Sequence, residues 1–81
     1  MGQPLRFTNA HAAAFRAVAA REAQSGRHTD AVDMLRVLAF LRPDQAQNWD
    51  ALARQLARVG NTVGEEAAAK IAERVRRGGV S

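Results

Sequence analysis

Between Thr29 and Pro43 the chain reads T-D-A-V-D-M-L-R-V-L-A-F-L-R-P, and nine of these residues (Ala31, Val32, Met34, Leu35, Val37, Leu38, Ala39, Phe40 and Leu41) are apolar. At helical spacing they spread around nearly the whole circumference, so this helix needs cover on more than one side. The fourteen residues before Pro43 suit nearly four turns and are too few to cross a bilayer, so the cover must be protein. The flanking segments are expected to pack against it from both sides.

Those segments carry the helical period too. A helix from about Ala10 to Gln24, with Thr8 or Asn9 as N-cap, puts Phe15, Val18 and Ala19 on one face with Glu22, and Ser25-Gly26 ends it. In the central helix Thr29 is the expected cap, Asp30 and Asp33 complement the positive end of the dipole, and Pro43 is the stop. Asp44 opens the third helix with Gln47 as the reciprocal half of a capping box; Trp49, Leu52, Ala53 and Leu56 line one face, and Gly60-Asn61 closes it. Thr62 and Glu65 form a second such box before a helix from about Val63 to Arg77, whose inner face is Ala67, Ala68, Ile71, Ala72 and Val75. Its outer stripe carries Glu66 with Lys70 and Glu73 with Arg77, both in the favoured i, i+4 order. No strand-like alternation appears. The chain divides into an N-terminal arm (1–9), in which Pro4 bars an early helix and Leu5 and Phe7 can fold back on the body, an all-α domain (10–78) and a tail expected to be disordered (79–81).

Self-similarity at a fixed period refines the fold class. Phe15 and Trp49 stand at the same separation as Val18 and Leu52, Ala19 and Ala53, and Gly26 and Gly60. One unit reads Trp49-x2-Leu52-Ala53-x2-Leu56, and the other finishes with Ala31-x3-Leu35 and Pro43. This pattern, with its period of about 34 residues, resembles the tetratricopeptide repeat. The resemblance runs from Ala12 to about Arg77. It implies two helical hairpins, four antiparallel helices in a right-handed superhelical stack. The chain departs from the family where Glu22 stands for Tyr and Ala19 and Ala53 for Gly, and Thr62-Val63-Gly64 reads as an insertion of one or two residues that puts the last helix out of phase. An ordinary four-helix bundle is the alternative.

At 81 residues the domain is small enough that a partner or oligomer would help its stability. There is no Cys, which excludes disulfides and thiolate metal sites and suits a cytoplasmic setting. Lys70 is the one lysine beside eleven arginines, and with abundant Ala this points to a GC-rich bacterial genome. Neither a myristoylation signal, which Arg6 breaks, nor an export signal, which Arg16 and His11 interrupt, is read at the N-terminus.

A net charge of +4 and a pI near 11.4 favour acidic partners, but the arginines are dispersed except Arg74, Arg76 and Arg77. Read as a DNA-binding helix-turn-helix, the last two helices fail: Glu65-Glu66 would meet the phosphates, and Leu56 sits where such turns need a small residue. Phe7, Phe15, Phe40 and Trp49 are expected on packing faces, which removes the stacking platform RNA binding needs. Nucleic acid therefore ranks below a protein partner. His11 and His28 lie in separate segments and read as exposed histidines at helix starts, and no set of residues forms a catalytic, metal or cofactor site; a non-enzyme is expected.

The polar faces fit partner binding best. On the first helix Ala13, Arg16, Ala20 and Gln24 (with Ala23) fall together, away from the packing face, and on the third Gln47, Asp50, Arg54 and Arg58 (with Ala57) do the same. In proteins resembling the tetratricopeptide family these positions line a concave groove holding a peptide or helix. Alanines admit a partner's backbone, and Arg16, Arg54 and Arg58 would meet carboxylates. The expectation is an interaction module or chaperone binding an acidic amphipathic helix, similar to the small chaperones of type III secretion. It would live as a homo-oligomer or hetero-complex without membrane insertion, because the smooth surface of Ala12, Ala13, Ala17, Ala20 and Ala23 needs cover. A self-assembling structural subunit and a basic nucleic-acid-binding protein are the alternatives.

Overall fold

A computed structural model describes residues 6–78, all of whose regular structure is helical: α1 Asn9–Gln24, α2 His28–Leu41, α3 Ala46–Arg58 and α4 Thr62–Arg76. Leu5 and the expected tail 79–81 lie outside the described residues, and Asn9 opens α1 instead of ending the arm. The helices form two hairpins, α1 with α2 and α3 with α4, joined where α3 packs on α2 and, more lightly, on α1. Among the described residues α4 touches neither α1 nor α2. A closed four-helix bundle would bring the first and last helices together, so the arrangement is an open layer, with principal extents of 46 × 33 × 14 Å.

The hairpin turns share one geometry. Gly26 (φ +84°) and Gly60 (φ +80°) sit just past their helices in the left-handed conformation. The Arg27 N–H then donates to the Glu22 carbonyl at 2.9 Å and the Asn61 N–H to that of Leu56 at 2.8 Å. Those bonds, with Gly26 to Ala23 and Gly60 to Ala57, complete two Schellman motifs at equivalent places in the two repeats. The second helices begin at equivalent places too, at His28 and Thr62, which corrects the expected insertion: Thr62-Val63-Gly64 is the first turn of α4 itself.

Thr8 caps α1 as expected, in a box with His11 whose two bonds are both 3.2 Å. The other three expected caps differ, because the cap side chain has a better partner or the helix begins elsewhere. The tight turn starts α2 at His28, ahead of Thr29, and its N-cap Arg27 makes no side-chain cap bond. Asp44 does not cap α3: both its oxygens accept from Arg42 (Nε to Oδ1 and Nη2 to Oδ2, each 3.2 Å), and Gln45 takes the N-cap position without a side-chain cap bond. The hydrogen bond from Arg42 first, and a backbone N–H second, hold the Asp44 carboxyl below its ordinary value and raise Arg42 in turn. Asn61, not Thr62, caps α4 by accepting the Gly64 N–H at 2.8 Å.

The core is one cluster: Ala12 and Ala19 from α1, Val32, Leu35, Leu38 and Ala39 from α2, Leu52, Ala53 and Leu56 from α3, and Ala68 from α4. Phe7 folds back as expected, edge-on to Phe15 with ring centroids 6.2 Å apart, while its carbonyl accepts from Arg42 at 3.3 Å. The half-buried Trp49 donates its indole N–H to the Pro43 carbonyl at 2.9 Å, closing the α2–α3 turn.

Four packing expectations are corrected. Helix α2 is packed from both sides as expected, by α1 and α3, but Phe40, expected on a packing face, is 82 % exposed and Val37 and Leu41 are exposed with it, because none of the described residues covers the outer side of the open layer. Val18 is exposed although its counterpart Leu52 is buried, since no described helix packs on that side of α1 as α2 packs on α3. On α4, Ala68 and Ala72 are buried, Ile71 and Val75 half-buried and Ala67 exposed. Ala12 is fully buried rather than part of a smooth outer face. Of the ion pairs expected on α4, Glu73–Arg77 forms at 3.3 Å. No helix among the described residues is long and apolar enough to cross a membrane.

Candidate functional site: a groove between α1 and α3

The faces of α1 and α3 that turn away from the core border three depressions that share lining residues. The first, where α1 runs into the first turn, is about 440 Å³ in volume, lined by Ala20, Ala23, Gln24, His28, Gln55 and Arg58. A second lobe of about 440 Å³ lies between α3 and α4, bordered by Asp50, Arg54, Ala57, Arg58, Glu65 and Ala69. A narrower pocket of about 130 Å³, lined by both Arg16 and Arg54, shares Ala20 with the first and Arg54 with the second. Gln55 lines all three.

Six of the eight residues expected from the sequence are thereby brought together: Arg16, Ala20, Gln24, Asp50, Arg54 and Arg58. Ala13 and Gln47 are exposed but border none of these lobes. Among the polar lining residues, His28, Gln55 and Glu65 fall outside the sequence expectation. His28 donates from Nδ1 to the Gln55 side-chain oxygen at 2.9 Å, a bond that ties the start of α2 to α3 across the groove floor. Glu65 joins because α4 leans on α3. The period of α3 alone places Gln55 next to its buried face, which is the signal that could have found it; His28 and Glu65 become groove residues only through packing.

Arg16 is not the free surface cation that its helical position suggests. It is half-buried, and its Nη1 donates to the side-chain oxygens of Asn48 at 2.5 Å and Gln45 at 3.3 Å. Asn48 is fully buried and donates from Nδ2 to the Arg42 carbonyl at 3.0 Å and to Gln45 at 3.3 Å, while Gln45 donates to Asn9 at 2.8 Å. This network joins the start of α1, the α2–α3 turn and α3, and no buried side-chain polar atom is left unsatisfied among the described residues. A buried amide in such a network costs little because each donor and acceptor is met.

No family model matches the chain, and no curated protein or solved structure matches it. The chemistry of the groove therefore rests on its own charges. Asp50 is held by Arg76, so one of the two bordering carboxylates is already compensated. Arg16, Arg54 and Arg58 form no ion pair among the described residues. The groove thus presents three guanidinium groups without an ion pair among the described residues, against one such carboxylate, Glu65, and its apolar lining is largely alanine. Among the described residues no cluster of His, Asp and Glu is placed to hold a metal ion.

Proposed function

We propose that the chain is an interaction module or chaperone of tetratricopeptide type, whose α1–α3 groove receives an amphipathic helix or peptide of a partner protein that bears carboxylates. The observation that carries this reading is the set of three groove arginines without carboxylate partners above small side chains. Small residues let a helix backbone approach closely, and guanidinium forks match carboxylates bidentately. The tetratricopeptide reading draws support from the equal spacing of the two Schellman turns and of the starts of α2 and α4. The resemblance to type III secretion chaperones would make the client an amphipathic helix of a secreted or export subunit.

The test is a capture from native cell extract with and without nuclease, comparing the parent with Arg54→Gln/Arg58→Gln. Both residues are exposed, so the double variant should keep its helicity. A discrete protein retained by the parent and lost by the variant supports the reading; retention that vanishes on nuclease treatment would move the assignment to nucleic acid.

One observation favours a second reading, a self-assembling subunit: Phe40, Val37 and Leu41 are all exposed on α2. Sedimentation over a wide concentration range separates the two, since a monomer throughout removes self-assembly and leaves the groove untouched.

A further inference from the structure

The central pocket is narrower than the lobes on either side of it. Arg16, Arg54 and Gln55 supply its polar lining, Ala20, Leu35 and Ala51 its apolar floor, and no carboxylate lines it. Its volume of about 130 Å³ holds roughly four waters, the size of a short side-chain terminus. Resting on the groove reading above, we propose that this pocket is a receptor for a glutamate side chain of the bound partner, with Asn48 as the positioning residue that aims Arg16 at it.

Arg16 has donors to spare. A guanidinium offers five N–H groups. The bonds to Asn48 and Gln45 both leave from Nη1, and Nε and Nη2 take part in no hydrogen bond among the described residues. Both acceptors are neutral amide oxygens, so Arg16 keeps its full charge while its rotamer is held. Asn48 cannot turn away, because its own Nδ2 is committed to the Arg42 carbonyl and Gln45 in a fully buried site. The ordering of Arg16 therefore happens on folding rather than on binding, which favours affinity. Arg54, exposed and without an ion pair among the described residues, supplies the second cation across the opening. The apolar floor suits the two methylenes of glutamate and lowers the local dielectric, strengthening the charge contact. Glutamine would fill the same space but bring two N–H donors toward two cations.

The experiment follows the arginine Nε–Hε signals of the whole chain by NMR during titration with N-acetylglutamate N-methylamide, its glutamine counterpart, and N-acetylalanine as a main-chain carboxylate. The expected result is saturable shifts at Arg16 and Arg54 with the glutamate probe, and binding weaker by about tenfold or more for the other two. Asn48→Asp places a neutralising carboxylate on Arg16 and should abolish the shifts. Because that variant can perturb the fold, Arg16→Lys serves as the second: it keeps the charge, loses the fork, and should weaken the glutamate probe by about three- to tenfold. Equal shifts at Arg21, Arg36 and Arg74, equal binding of glutamine, or stronger binding of N-acetylalanine would overturn the proposal. Capture of a partner that depends on Arg54 and Arg58, with the glutamate probe silent at Arg16, would leave the groove standing and remove this pocket. The probe binding with no partner captured would do the reverse.

Discussion

The two hairpins begin from the same turn and differ in what their second helices must cover. Helical angle divides the core residues of α2 into two faces, Met34 with Leu38 and Val32 with Leu35 and Ala39. One repeat further on, the first face becomes Ala68 and Ala72, both buried on α4, whose one neighbour among the described helices is α3. That face is therefore the one a second helix turns toward its own hairpin partner. The second face becomes Glu66, Ala69 and Glu73, all exposed. In α2, which packs on α3 as well as on α1, the same positions are buried. The scaffold position is thus apolar in α2, where α3 packs on it, and polar in α4, where no described helix does. Among the described residues the face of α4 equivalent to the α3-receiving face of α2 is polar and uncovered.

Making α2 as thin as α4 should do the most damage. Leu38 is fully buried, and Leu38→Ala should cost about 2–5 kcal/mol by opening a cavity in the core. In a domain of this size the cooperative melt should be lost or displaced by tens of degrees, whereas Phe40→Ala, 82 % exposed on the same helix, should leave it nearly unmoved. Thermal denaturation by circular dichroism distinguishes them, and equal losses would mean that the outer side of α2 is covered after all.

Next comes the joint between the hairpins. Asn48→Leu roughly keeps the volume but strips Arg16 and the Arg42 carbonyl of their partner, with an expected loss of about 1–3 kcal/mol. Urea unfolding measures it; an unchanged midpoint would show that the hairpins hold without this network.

The converse change gives α4 the face it lacks. Glu66→Val, Ala69→Leu and Glu73→Ala together copy the residues with which α2 receives α3. The variant should change its own stability by no more than about 0.5 kcal/mol, yet associate with rising concentration. The matching acceptor is the side of α1 bearing exposed Val18, a head-to-tail contact that would build chains rather than closed dimers. Light scattering reads it out, and a monomer at every concentration would mean that the charged face is not what keeps α4 from receiving a further helix.

The smallest effect concerns acid. Asp44 is held below the ordinary carboxyl value of 3.8 by Arg42, so the pair stabilises the fold above that pH, and the contribution fades as pH falls from 3.8 through the lower folded value. Parent and Asp44→Asn should therefore melt slightly apart at neutral pH and converge in acid; a difference that grows below pH 3.8 would reverse the assignment.

Much of this is legible in the chain. The helix number, the glycine turns and the α3 face of Leu52, Ala53 and Leu56 follow from period and turn chemistry, and six groove residues follow from helical angle. The caps expected at Asp44 and Thr62 fail because a carboxylate two residues from an arginine has a stronger local partner than a backbone N–H, and because Asn61 competes one residue earlier. The exposure of Phe40 is hidden from the sequence because an apolar residue prefers cover whether or not the fold supplies it. The network of Asn48, Gln45 and Arg16 joins side chains 29 and 32 positions apart, beyond any local pattern.

Whether the α1–α3 groove is the partner surface is decided most directly by a photoreactive residue placed one at a time in living cells at Ala20 or Arg54 in the groove, and at Phe40 or Ala67 outside it. The expected result is a single protein adduct from Ala20 and Arg54, mapping to an acidic helical segment of the partner and absent from the other two positions. Adducts confined to Phe40, or nucleic acid joined at the groove positions, would contradict it.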